Sequence, residues 1–249
     1  MVKNHRVGFS ELKDISYNEA WDVQKKLFNS IVATKIANRE LPESEQKLTE
    51  NYLLFCEHKH VYTLGKSGFV ENLLLNNQLL KDKGIEFFHI NRGGDITYHG
   101  PGQLTGYLIF DLENFQTDIG KYLRNMEEAI IRTIAEYGLK GERLEGFTGV
   151  WLDIDKPGKA RKICAIGVHA SRWVTMHGFG FNIKTDLKYF DYIVPCGIKD
   201  KGVTSLEQEV GEVDMEEVKA KVLKHLSAIY ELDVFSFDVQ NQIAASLNL

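Results

Sequence analysis

Arg92-Gly93-Gly94-Asp95-Ile96-Thr97-Tyr98-His99-Gly100-Pro101-Gly102-Gln103 places four glycines and a proline in twelve residues. Phe87-Phe88-His89-Ile90 precedes it and the apolar run Leu104 to Leu112 follows, and both read as strands. A polar, glycine-dense loop between buried strands lets a ligand approach the main chain closely. A strand-to-strand turn needs only about two to five residues. Turn chemistry therefore leaves Arg92, Thr97, Tyr98, His99 and Gln103 unexplained, and the stretch reads as a functional loop.

Outward from this loop the chain is ordinary in composition. Its 249 residues are 43% hydrophobic and 26% charged, with no repeat and no composition break, so one domain over 1–249 is expected. A formal charge of −5 argues against a nucleic-acid partner. The polar start Met1-Val2-Lys3-Asn4-His5-Arg6 has no apolar stretch behind it, and no run reaches the ~20 residues of a membrane span. Three widely spaced cysteines, Cys56, Cys164 and Cys196, fit free thiols in a reducing compartment. The expectation is a cytoplasmic protein with no membrane contact.

Three helices are legible. Ser16 and Glu19 form a capping box ahead of Ala20, Leu27, Phe28 and Ile31, which predicts a helix over 16–37. Ile119, Tyr122, Leu123, Met126, Ile130, Ile134 and Tyr137 make one stripe over 118–137, with Gly138 as its stop. Asp214 caps a third helix, buried through Val218, Val222, Leu226 and Ile229. Short apolar runs at 52–55, 61–64, 148–152, 163–168 and 173–183 read as strands. Gly178-Phe179-Gly180 interrupts the last of these, which points to a bulge or a close backbone approach. The tail beyond Asp233 carries no clear signal.

Several residues are candidates for chemistry. Cys56-Glu57-His58-Lys59-His60 has donor spacing for a metal, but no second cluster exists, so a surface turn is expected and no metal. Cys56 and Cys164 sit inside apolar runs and read as buried hydrophobes. Cys196, between Pro195 and Gly197, is equally consistent with a presented nucleophile. A thiol of pKa ~8.5 needs a base or a cation to act, and His99, His169, His177 and Lys162 are the candidates. By spacing alone Lys162 reads as a snorkelling lysine at the start of a strand. No phosphate loop, dinucleotide fingerprint or serine elbow is present.

Taken in order, these blocks resemble the octanoyltransferases of lipoate biosynthesis. The resemblance rests on the Arg92–Gln103 loop, Val61-Tyr62-Thr63-Leu64-Gly65, Gly149-Val150-Trp151, Arg161 to Gly167, His177 to Asn182, Ile193 to Ile198 and Val203 to Leu206. It implies an α+β fold, a mixed β-sheet flanked by helices, as in lipoate and biotin protein ligases. It implies transfer of octanoyl from octanoyl-acyl carrier protein to a lysine of lipoyl domains, those of 2-oxoacid dehydrogenase complexes and the glycine cleavage H protein, with no cofactor. Cys196 and Lys162 become the catalytic pair, which displaces the snorkelling reading. Arg92, Gly93, Gly94, Asp95, Ile96, Thr97, Tyr98 and His99 become substrate contacts, with Ala165, Ile166, Gly167, Gly178, Phe179 and Gly180. Cys164 departs from the family, where a small residue is usual, and two-residue spacing puts it on the strand face of Lys162. An ATP-dependent ligase on the same scaffold and a non-catalytic lipoyl-domain binder remain the alternatives.

Overall fold

Alternation of apolar residues with period two fixes the central sheet. On Tyr52–Cys56, Leu53 and Phe55 enter one core while Tyr52, Leu54 and Cys56 enter another. The computed structural model describes residues 3–194 and 201–239. In chain order its strands and helices are β1 (Arg6–Leu12), α1 (Tyr17–Asn38), β2 (Tyr52–Cys56), β3 (Val61–Leu64), α2 (Asn77–Asp82), β4 (Glu86–His89), β5 (Ile96–His99) and β6 (Gln103–Ile109). Then follow α3 (Ile119–Ala135), β7 (Glu142–Leu144), β8 (Phe147–Leu152), β9 (Arg161–Ser171), β10 (Val174–Asn182), β11 (Gly202–Val203), α4 (Leu206–Val210), α5 (Met215–Tyr230) and β12 (Asp233–Ser236).

Among the described residues, the larger sheet runs β12-β1-β2-β6-β10-β9-β8-β7, with β11 beside β9. β1 is parallel to both neighbours, β11 is parallel to β9, and the other pairs are antiparallel, so the sheet is mixed. α3 and α5 cover one face through Met126, Ile130, Val222 and Leu226. On the other face α1 packs Ala20, Leu27 and Phe28 against Tyr107, Ile109 and Met176. Beside α1 lies a small sheet, β4-β3-β5, so this α+β arrangement has a second layer of strand over part of the first.

The three expected helices form where their caps place them. Ser16 and Glu19 make both bonds of the capping box, and Asp118 and Asp214 each accept a first-turn N–H. The glycine stretch is a loop only in its first half. Ile96–His99 is strand, pairing antiparallel with β3 through Ile96↔Leu64 and His99↔Val61. β1, α2 and β12 carried no clear sequence signal; β12 lies in the tail and closes the sheet edge against β1.

Candidate active site

The cleft lies between the two sheets, with a volume of about 1020 Å³. Its floor is one face of three strands in register. Gly180 pairs with Thr105 on β6 and Ala165 on β9, and Gly178 pairs with Tyr107 and Gly167. Small residues make this floor because the backbones leave no room for more. A Cβ on Gly178 would stand 2.1 Å from the Gly106 carbonyl oxygen, and one on Gly167 would stand 2.9 Å from that of Gly93. The interruption at Gly178-Phe179-Gly180 is thus a close approach. Phe179 borders the cleft and also packs into the α3–α5 core, where its ring lies over Gly106. Ile166 also packs toward that core.

The roof is the segment Arg92 to Thr97. The Gly93 N–H donates to the Val168 carbonyl at 2.8 Å, which ties the roof to β9. Arg92 is folded under the loop and donates through Nη2 to the Thr63 carbonyl at 2.7 Å and through Nη1 to the Gly93 carbonyl at 3.0 Å. Asp95 accepts from Asn72 Nδ2 at 2.6 Å, and the Asn72 carbonyl accepts the Val194 N–H at 2.8 Å. Arg92, Gly93, Gly94, Asp95, Ile96, Thr97 and His99 all line the cleft, as do Ala165, Ile166, Gly167, Gly178, Phe179 and Gly180. Tyr98 does not. It faces the opposite side of β5 and stacks on Tyr189, ring centroids 5.0 Å apart.

His99 is held in one tautomer. Gln103 Nε2 donates to the Tyr98 carbonyl at 3.1 Å and to Asn182 Oδ1 at 2.9 Å, and Asn182 Nδ2 donates to the Thr204 carbonyl at 3.0 Å. Backbone carbonyls at both ends orient both amides, so Gln103 Oε1 is an acceptor. His99 Nδ1, 2.7 Å away, carries the proton and donates. Burial lowers the His99 pKa to about 4, so the ring is neutral with Nε2 as an acceptor. Burial likewise lowers His58 and His177 to about 3.

Lys162 enters the cleft from β9. Its Nζ donates to the Thr148 carbonyl at 3.3 Å and sits 4.6 Å from the Trp151 ring centroid. The register between β8 and β9 shifts here. Trp151 pairs with Lys162 and Val150 with Cys164, leaving Ile163 as an extra residue. This bulge breaks the alternation. Ile163 and Cys164 both turn into the α3–α5 core, whereas Lys162 and Ala165, three residues apart, line the cleft. The expectation that Cys164 shares the face of Lys162 is therefore corrected. Cys164 is 0% exposed, and burial pushes its thiol well above the ordinary range. Cys196, with Pro195 and Gly197, lies outside the described residues. Val194 and Lys201, the described residues on either side, both line the cleft.

The Cys56–His60 segment also needs correction. It turns, but His58 is buried, with Nε2 hydrogen-bonded to the Tyr107 hydroxyl and Nδ1 3.7 Å from Cys56 Sγ. Sequence reading missed Tyr17, Thr105, Tyr107, Trp151 and Asn182 as cleft residues.

Comparison with known proteins agrees with the fold. The sequence pattern of the lipoyl protein ligase A/B catalytic domain matches residues 16–227. An octanoyltransferase of Cytophaga hutchinsonii is 58% identical over 232 residues, 93% of this chain and 95% of its own. One of Flavobacterium johnsoniae is 58% identical over 233 residues, covering 93% and 99%. In fold, the chain is similar to a bipartite lipoate protein ligase from Thermoplasma acidophilum (TM-score 0.67, 16% identity, 98% and 92% covered). A biotin protein ligase from Aquifex aeolicus is more distant (TM-score 0.51, 15% identity, 90% and 70% covered).

Proposed function

The chain belongs to the lipoyl protein ligase A/B catalytic family, and from that premise we propose that it carries octanoyl from acyl carrier protein to lipoyl-domain lysines through a Cys196 thioester. It is an octanoyltransferase of lipoate metabolism, hence an acyltransferase. The observation that carries the finer reading is Lys162. It stands in a glycine- and alanine-floored cleft that is also lined by Val194 and Lys201, the described neighbours of the Cys196 segment. Residues 1–249 act as one catalytic domain, a reading supported by β12 pairing with β1 across the length of the chain. The substrate-contact set is the cleft lining given above, without Tyr98.

In the first half-reaction the Cys196 thiolate attacks the thioester carbonyl, and the carrier's phosphopantetheine thiolate leaves and takes a proton from the Lys162 ammonium. In the second, the acceptor lysine amine attacks the acyl-enzyme. An amide forms, the Cys196 thiolate leaves, and Lys162 takes the amine proton. Thioester exchange followed by amide formation needs no ATP. The alkyl chain lies on the Gly178, Gly180, Ala165 and Gly167 floor, and each buried methylene contributes ~0.8 kcal/mol.

The test uses purified protein and octanoyl-carrier without acceptor or ATP. Peptide mass mapping should place one octanoyl group on Cys196, and a lipoyl domain should then discharge it. Transfer that requires ATP, or that survives in Cys196→Ala, would refute the reading.

A further inference from the structure

We propose that Glu127 is a positioning residue for Lys162, acting through the single peptide group between Thr148 and Gly149. The proposal rests on the reading of Lys162 as the acid/base group. Glu127 is on α3, behind the sheet, and its side chain is fully buried. Its Oε1 accepts the Gly149 N–H at 2.9 Å. On the other side of that amide, the Thr148 carbonyl accepts Lys162 Nζ at 3.3 Å. One trans peptide plane therefore lies between a buried carboxylate and the lysine, with its N–H toward the anion and its C=O toward the cation. Each charge favours this orientation of the amide dipole, and the amide polarises in the same sense.

The backbone is built for the arrangement. Gly149 has φ +123°, a region in which side chains are strained, and a Cβ there would stand 2.5 Å from the Cys164 carbonyl oxygen and 3.5 Å from Lys162 Cε. Glycine lets β8 turn this peptide between α3 and β9. Glu127 has a second oxygen, Oε2, and it is engaged by Arg124 Nη1 at 2.5 Å and Arg143 Nε at 3.0 Å. Those cations partly offset the carboxylate's field, so the effect on Lys162 is set by the balance of the three groups. Of the other charged or titratable groups on these elements, Glu128 on α3 pairs with Arg143 and Arg132, Arg161 on β9 pairs with Asp153 and Glu209, α3 also carries Lys121 and Tyr122, and β9 also carries His169. Lys201 adjoins β11 and lines the cleft, and Cys164 faces the core.

The test reads Lys162 directly, without relying on transfer. Trace acetylation with acetic anhydride across a pH series, followed by peptide mass mapping, gives the midpoint at which the Lys162 amine becomes reactive. Glu127→Gln keeps an acceptor for Gly149 and removes the charge. Its midpoint should fall by roughly half a pH unit to one unit, because a nearby anion favours the ammonium form. Arg124→Gln changes a half-exposed side chain and leaves the carboxylate less compensated, so its midpoint should rise. A Glu127→Gln profile superimposable on that of the unaltered protein overturns the proposal. Should Glu127→Gln fail to fold by circular dichroism, Arg124→Gln decides: a risen midpoint supports the relay and an unmoved one overturns it. Octanoyl transfer is measured in parallel. Its absence in the unaltered protein counts against the proposed function, while the labelling result still judges Glu127. With transfer present, Glu127→Gln should lower kcat several-fold and leave KM for the carrier unchanged.

Discussion

At the scale of single residues, burial closes off both described thiols. Cys164 is enclosed among Ile163, Val150 and the α3 side chains, and burial raises its pKa far more than neighbouring Lys162 lowers it. Cys56 is pushed up to about 12 by burial, with Glu57 adding to the rise. Neither forms appreciable thiolate near neutral pH. Iodoacetamide applied to the folded protein at pH 8 should therefore label Cys196 alone, and prior octanoylation should protect that site. Cys164→Ala should keep transfer within twofold and cost about 1–2 kcal/mol for a small cavity, read as a shift in urea midpoint. Labelling of Cys164 in folded, active protein would contradict the bulge geometry that turns it inward. Lys162→Ala should slow both half-reactions, since each moves a proton through that amine.

At the scale of elements, β5 works on both faces. One face gives His99 to the cleft, and the other gives Tyr98 to a stack that holds the segment leading toward Cys196. Tyr189 stacks on both Tyr98 and His60, with centroids 5.0 and 4.1 Å away, and its carbonyl accepts the Tyr62 hydroxyl at 2.6 Å. The Leu74 N–H donates to the Tyr192 carbonyl, and Asn72 accepts from Val194. Tyr189→Ala should thus slow acylation of Cys196 at least tenfold, beyond any loss of stability, while Tyr189→Phe keeps the ring and restores the rate. Rapid-quench mass spectrometry of the acyl-enzyme reads this, and an unchanged acylation rate in Tyr189→Ala would show that the stack is only core. The sequence made this half visible and half hidden. Caps at Ser16, Asp118 and Asp214 and the apolar stripes behind them announce helices, because local chemistry sets them. β5 was hidden because Ile96-Thr97-Tyr98-His99 is short and flanked by glycines, and its strand state depends on β3. The β9–β10 turn puts Arg172 and Trp173 at φ +51° and +64°, left-handed positions that give no glycine or asparagine signal. The bulge at Ile163 is fixed by pairing with β8, and no periodicity within β9 reveals it. The floor glycines and Lys162 were legible as site residues only through the family resemblance; Glu127 was not legible, because its partner is a backbone amide 22 residues away.

At the scale of the whole molecule, the two sheets meet across a layer of buried histidines, which makes the fold sensitive to acid. His58 follows β2, His99 ends β5 and His177 lies in β10, and Tyr17 packs against the first two with centroids 5.1 and 6.1 Å away. Burial is the leading cause that keeps all three neutral, with folded pKa values of about 3 for His58, about 4 for His99 and about 3 for His177. An unfolded histidine titrates near 6.5. Below that pH the unfolded chain binds protons that the folded chain refuses. The stabilisation is therefore complete above about pH 6.5 and is lost as pH falls toward the folded values. Between pH 7.5 and 5 each histidine contributes a loss of about 2 kcal/mol, and the three together about 6 kcal/mol, by proton linkage. That compares with a total stability of roughly 5–15 kcal/mol for an ordinary domain. The window from 7.5 to 5 lies above the ordinary range of carboxylates, so histidine dominates it. Urea unfolding at half-unit steps should show stability falling steeply below pH 6.5, and His58→Gln should remove about a third of that slope. Because the histidines join the two sheets, loss of the cleft should accompany the fall, with octanoyl transfer and native circular dichroism lost together near the same pH. Stability that stays level from pH 7.5 to 5 would mean that these rings take up protons in the folded state and that the layer between the sheets is open to water.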